Sequence, residues 1–284
     1  MMDNSEINDE FDFHVNQSDS PSVNFYIEHF GAYKRALHDV KKVIKSEEFN
    51  ETRFFNEFYE EKRRALLYRK NGGGYNPLIT HWLSLVKQLA NVYCASFPVP
   101  EFKTLSKEFL KETAQMSSDI NNLSKIERHL LDKGILFILE PSIPGLKLDG
   151  AVFLINDKVA VLAMSLRHNR LDNFWFTLMH ELAHLKLHSE ILSDPIIENL
   201  DEEPDSEIEL EANMYGGDTL ISRQDWRSSS LHYHVNDKKI LYEFAAKIGV
   251  HPAIVAGRYR KEYNNYRVYN EIVNDFDVRG YFGL

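Results

Sequence analysis

Cysteine is almost absent from this chain: Cys94 stands alone in 284 residues. That excludes an internal disulfide framework and any zinc finger built from two or four thiolates of the same chain. Long apolar runs are missing too. None approaches the roughly 20 residues that a helix needs to cross a bilayer, so no membrane partner is expected. The opening MMDNSEINDEFDFHVNQSDSPSVN is acidic and polar where a secretory leader carries a basic start and an apolar body, and the cytoplasm is the expected location. Nor is there an excess of positive charge. The chain has 33 Lys and Arg against 43 Asp and Glu, a net charge of -10, which argues against direct nucleic-acid binding. A metal site here must draw on histidine and carboxylate.

What is present reads as a globular chain, 43% hydrophobic and 27% charged, long enough to bury a core without a metal. Residues 1–22 offer little periodic apolar surface and read as a flexible tail. YIEHFGAYKRALHDVKKVI, TRFFNEFYEEKRRALLY and THWLSLVKQLANVYCASF carry helical periodicity, with NGGGYNP breaking the second from the third. FKTLSKEFLKETAQM and a stretch from Asn121 to about Asp132 predict two further helices. The basic run from Lys62 to Lys70 is interspersed with helical spacing and reads as a solvated face. The period then changes. ILFILEP, GAVFLIN and VAVLAMSL are strand-like, and NDK between the last two predicts a hairpin. These signals imply an α+β fold with a small antiparallel or mixed sheet: a helical regulatory or scaffold region over 23–118, then a catalytic region over 119–284.

FTLMHELAHLKLHSE, Phe176 to Glu190, holds the spacing H-E-x-x-H. Asp172 or Asn173 is a candidate cap for a helix that starts just before it. At about 100° per residue, His180 and His184 project from one face and can reach one ion. A third ligand is required, and EIELEANMYGG supplies candidates on a second helix that follows LDEEPDS. Glu209 shares an i,i+4 face with Asn213, so Glu209 can bind zinc while Asn213 orients a histidine. In a regular helix Glu211 points elsewhere, although a bend would reverse the choice, and Glu207 is the third candidate. Two histidines and one carboxylate leave a fourth tetrahedral position for water or a peptide carbonyl. Glu181, beside His180, is then the expected general base.

Other residues carry two readings each. Thr177, one turn before His180, is either a hydrogen-bonding neighbour of the site or part of the helix wall. His188 continues the histidine row and is expected on the surface, too far along to join the shell. Cys94 is either a buried core residue at a helix end or a thiolate that fills the open zinc position as a redox brake.

Together, FWFTLMHELAHLKLH, IELEANMYGG and IGVHPAIVAGRYR resemble the ImmA/IrrE (M78) zinc metallopeptidases over about residues 119–260. GLKLDGAVFLINDKVAVLAMSLRHNRLDNFWFTLMHELAHL is also similar to the peptidase-like half of HigA-like antitoxins. The resemblance implies a zincin-like helical metal site holding Zn2+. It also implies protein hydrolysis in a stress or toxin-antitoxin circuit, with a separate helix-turn-helix regulator or a toxin-antitoxin partner as substrate. A noncatalytic HigA-like binding module and a toxin-like protease are the alternatives. In the closing segment a turn at Gly249 to Pro252 is expected to start a helix. His251 or Arg258 there is a candidate to position a peptide or stabilise oxyanion charge, with a helix cap and a surface ion pair as their structural alternatives. MYGGDTLIS departs from the small-residue and leucine-rich continuation common in the family, which implies an altered pocket.

Overall fold

The computed structural model describes residues 23–45, 47, 49–68, 76–193, 195–198 and 206–284. The tail at 1–22, most of NGGGYNP and most of LDEEPDS lie outside the described residues, as do Arg69 and Lys70 of the basic run. Three long helices come first, α1 (Val23–Lys41), α2 (Glu51–Tyr68) and α3 (Pro77–Ser96), followed by α4 (Lys107–Met116). A 3-10 turn (Ile120–Lys125) then leads into α5 (Ile126–Leu131). The caps explain two of these starts: Asn76 accepts from Leu78 N with Pro77 in the first turn, and Ser106 accepts from Phe109 N.

A four-stranded mixed sheet follows, from β1 (Ile135–Leu139), β2 (Gly150–Ile155), β3 (Val159–Met164) and β4 (Ile196–Glu198), in the order β1-β3-β2-β4. β2 and β3 form the expected hairpin, Ile155 opposite Val159. Asn156 and Asp157 take φ of 52° and 55° at its tip, the left-handed pair that a tight primed turn requires. β1 runs parallel to β3.

Every β3 residue is buried, because both faces of the sheet are covered. Ala160, Leu162 and Met164 face a core shared with α6 (Leu171–Leu187), while Val161 and Ala163 face a second core shared with Trp82, Leu83 and Val86 of α3. α1 and α2 add a third, aromatic core around Tyr33, Phe54 and Phe58. Beyond β4 come α7 (Glu207–Leu220), α8 (Arg223–Arg227), α9 (Lys238–Ile248), α10 (Pro252–Glu262), α11 (Asn270–Val273) and α12 (Val278–Phe282).

α6 is the hub, flanked by β2, α7 and α10, and its residues are buried on almost every side. This is the pattern of an internal helix rather than an amphipathic surface one. Its start differs from the expected cap. The helix begins at Leu171 with Arg170 preceding it, and no side chain caps it; Asp172 instead lies inside the first turn and takes a bidentate pair from Arg170 at 2.9 and 2.6 Å. Among the described residues no helix is long and apolar enough to cross a membrane.

Candidate metal centre

The H-E-x-x-H residues lie in the buried middle of α6, and α7 crosses beside them. Ser206 starts α7 by accepting from Glu209 N. One glycine sets how closely the two helices approach. A Cβ on Gly216 would fall 2.8 Å from Met179 O and 3.0 Å from His180 N. Only a residue without a side chain lets α7 reach the α6 backbone at the first histidine. The MYGG departure is therefore a helix contact at the metal site. Gly217, by contrast, faces open space.

That approach brings three ligand atoms together. His180 Nε2 and His184 Nε2 are 2.9 Å apart, and Glu209 Oε2 lies 3.2 Å from each. His180, His184 and Glu209 form a group that could hold a metal ion. The donor set fits zinc: two imidazole nitrogens and one carboxylate oxygen, at separations close to the roughly 3.3 Å edge of a tetrahedron with ligands at 2.0–2.1 Å. Both histidines are fully buried, and Glu209 nearly so. Burial is the main influence lowering the pKa of His184, against the opposing hydrogen bond and charge of Glu209, a shift towards the neutral imidazole that metal ligation requires.

The neighbours sort themselves around this cluster. Asn213 Oδ1 sits 3.2 Å from His180 Nδ1, within hydrogen-bond reach of the first histidine. Glu181 is completely buried and packs against the start of β2, where a Cβ on Gly150 would come within 2.9 Å of its carboxyl carbon. Gly150 is thus the space that the Glu181 carboxylate occupies. Thr177 is buried in the helix wall and lines a small cavity of mixed character with Asp149, Arg167, His168 and Asn173 on one hand and Leu166 and Phe174 on the other.

His188 corrects the expectation of a surface residue. It is buried, its Nδ1 lies 3.0 Å from His184 Nδ1, and its Nε2 lies 3.0 Å from Glu211 Oε2. Glu211 is outside the group formed by the three ligand atoms, and its half-exposed side chain meets this histidine instead. The histidine row at i, i+4 and i+8 was the available signal, but row spacing says nothing of what a second helix brings to its end.

His251 and Arg258 have structural partners. His251 caps α10, its Nδ1 accepting from Ala253 N at 3.1 Å, and burial lowers its pKa. Arg258 donates to Ile221 O at 2.6 Å, stacks 4.8 Å from the Trp226 ring and lies 3.8 Å from Glu262. Cys94 packs with the core on the α3 side of the sheet, the face opposite α6, where burial raises its thiol pKa. The sheet separates its sulfur from the imidazoles. The roomier apolar cavity, between α3, α5 and β1, also opens on the α3 side and offers no histidine.

Residues 151–260 match the peptidase family M78 model, described as the IrrE N-terminal-like domain. The match supports the M78 family and a possible protease function, in a family whose members are generally metallopeptidases. No curated protein matches the chain.

Proposed function

We propose, with the M78 peptidase-like domain as premise, that this chain is a zinc-dependent endopeptidase acting in the cytoplasm on a regulatory protein, such as a separate helix-turn-helix repressor or a toxin-antitoxin partner. The observation that carries the reading is the convergence of His180 Nε2, His184 Nε2 and Glu209 Oε2 within 2.9–3.2 Å, one residue from the buried Glu181. A pair of histidines that merely satisfied one another would not need a carboxylate oxygen equidistant from both.

Zinc bound there supplies Lewis acidity, polarising a peptide carbonyl and acidifying water. The chain's own residues do the rest. Asn213 holds the His180 ring in place through Nδ1, and Gly150 leaves the Glu181 carboxylate room beside the reacting atoms. Glu181 takes a proton from the water whose oxygen adds to the acyl carbon. It then delivers that proton to the amine nitrogen as the carbon-nitrogen bond breaks, leaving one new carboxylic acid and one new amine, which exchange a proton to become carboxylate and ammonium. The buried wall of α6 and β2 keeps bulk water from competing for these groups.

The test is incubation of the full-length zinc-loaded protein with candidate partner proteins, followed by mapping of new chain ends, beside Glu181→Gln. Defined ends whose rate falls about 10²–10⁴-fold in the variant, with zinc content unchanged, are the expected result. Stable partner binding with no metal-dependent cut across a broad panel would refute the peptidase and favour the noncatalytic HigA-like module.

A further inference from the structure

Each zinc-binding imidazole must present a lone pair on one nitrogen, so the proton has to be kept on the other. For His180, Asn213 does this. For His184 the structure puts a histidine there instead of a carbonyl or carboxylate. His184 Nδ1 faces His188 Nδ1 at 3.0 Å, and an imidazole nitrogen can either donate or accept. On its own that contact would leave the His184 proton free to sit on either nitrogen.

Glu211 removes the ambiguity. Its carboxylate is acceptor-only when ionised, and its Oε2 lies 3.0 Å from His188 Nε2. His188 Nε2 therefore carries the hydrogen, and in the neutral ring His188 Nδ1 carries the lone pair. That lone pair accepts from His184 Nδ1–H, which leaves the His184 Nε2 lone pair facing His180 Nε2 and Glu209 Oε2, an arrangement of facing lone pairs that a cation between them would satisfy. The opposite neutral arrangement would set the His188 Nε2 lone pair against a carboxylate at 3.0 Å. The two residues also differ in setting: His188 is buried, whereas the Glu211 side chain is 54% exposed. A solvated carboxylate on the rim thus sets the polarity of a hydrogen-bond chain that ends at the buried ligand.

We propose that His188 and Glu211 are positioning residues that hold the His184 proton on Nδ1 and aim its Nε2 lone pair at the metal position. The proposal rests on the metal-site reading above. It gives the last histidine of the i, i+4, i+8 row a task, and it gives Glu211 one that differs from ligation.

Two measurements on the full-length protein test it. Zinc affinity, read by competition with a chromophoric chelator, is compared among wild type, His188→Leu, His188→Asn and Glu211→Ala. The Asn Oδ1 sits as many bonds from the backbone as the His Nδ1 and can only accept, whereas Leu fills similar space without accepting. His188→Leu is expected to weaken zinc about 10–100-fold, His188→Asn to recover most of that loss, and Glu211→Ala to fall between. Nitrogen-15 spectra of the zinc-free protein carrying Glu209→Ala, where no carboxylate draws the proton to His184 Nε2, should show His184 protonated on Nδ1 and shifted towards Nε2 when His188→Leu is added.

Equal affinities for the Leu and Asn variants would overturn the proposal, because packing alone would then account for His188. An unchanged His184 tautomer in His188→Leu would overturn it too. A wild type that takes up no zinc, or a His184→Ala variant that binds zinc as well as wild type, would instead remove the metal-site reading. The zinc-free spectra would still decide the hydrogen-bond chain.

Discussion

The adjacent glycines of α7 should respond in opposite directions to the same substitution. Alanine stabilises a helix interior by about 1 kcal/mol relative to glycine, and that gain applies equally at Gly216 and Gly217. At Gly217 nothing lies within 4 Å of the new methyl, so Gly217→Ala should raise stability by about 0.5–1 kcal/mol. At Gly216 the methyl would sit 2.8 Å from Met179 O, about 0.6 Å short of the 3.4 Å at which ordinary contact begins. The obstructing atoms belong to the α6 backbone and cannot rotate away, so α7 must retreat. Overpacking of this kind costs about 1–3 kcal/mol, which offsets the helix gain and leaves Gly216→Ala about 1–3 kcal/mol less stable than Gly217→Ala. A retreat of that size also carries Glu209 outside the roughly 0.5 Å tolerance of a metal ligand, so zinc affinity should fall at least about 10-fold in Gly216→Ala alone. Urea unfolding and chelator competition on the two variants read both effects. Equal stability and equal zinc affinity for the pair would refute the claim that Gly216 sets the distance between the metal helices.

Three other outcomes follow from the geometry. Gly150→Ala should displace the Glu181 carboxylate and lower the rate of peptide cleavage about 10–10²-fold, while chelator competition shows zinc affinity changed by less than about 3-fold. Arg258→Met strands the Ile221 carbonyl and loses the Trp226 stacking, which should cost about 2–3 kcal/mol in urea unfolding; activity per folded molecule should be unchanged if Arg258 is structural, and a selective loss of kcat would support a catalytic role for it. Burial, with the Arg53 charge adding to it, lowers the pKa of His81 to about 4. Because the unfolded chain protonates near 6.5 and the fold resists until about 4, His81 leaves stability intact above pH 6.5. It withdraws up to about 3 kcal/mol as pH falls through that window. Urea midpoints at pH 7 and 4.5 should converge in His81→Phe, and an undiminished pH dependence there would exclude His81 as the cause.

The parts of this molecule legible in its sequence are those governed by local period. The i,i+4 relation joins His180 to His184 and Glu209 to Asn213, and a helix places such pairs on one face whatever surrounds it. The β2–β3 hairpin is legible for the same reason, since two turn-forming residues join two apolar runs. What was not legible depends on how separate elements meet. The parallel pairing of β1 with β3 and the short β4 reflect the packing of the whole sheet. His188 looked exposed because its own helix shows only that it is one turn beyond the metal. Its burial is decided by α7, and the distance to α7 is decided by Gly216, which in the sequence was visible only as an irregular MYGG. His251 and Arg258 carry chemistry capable of catalysis, and their sequence spacing does not show the partners they meet, the α10 cap and the Ile221 carbonyl at the end of α7.

The sheet's second core has a practical consequence for anyone trimming this protein. The matched span opens at Ala151, one residue into β2, which leaves out β1 and the whole of α3. A fragment cut to those limits would lose the strand that pairs with β3 along its outer edge. It would also bare Ala151, Phe153, Val161 and Ala163, which α3 covers with Trp82, Leu83 and Val86. An exposed apolar sheet with an open edge is a template for self-association. Such a fragment would report on its own stickiness, and its failure to cut a substrate would say nothing about Glu181.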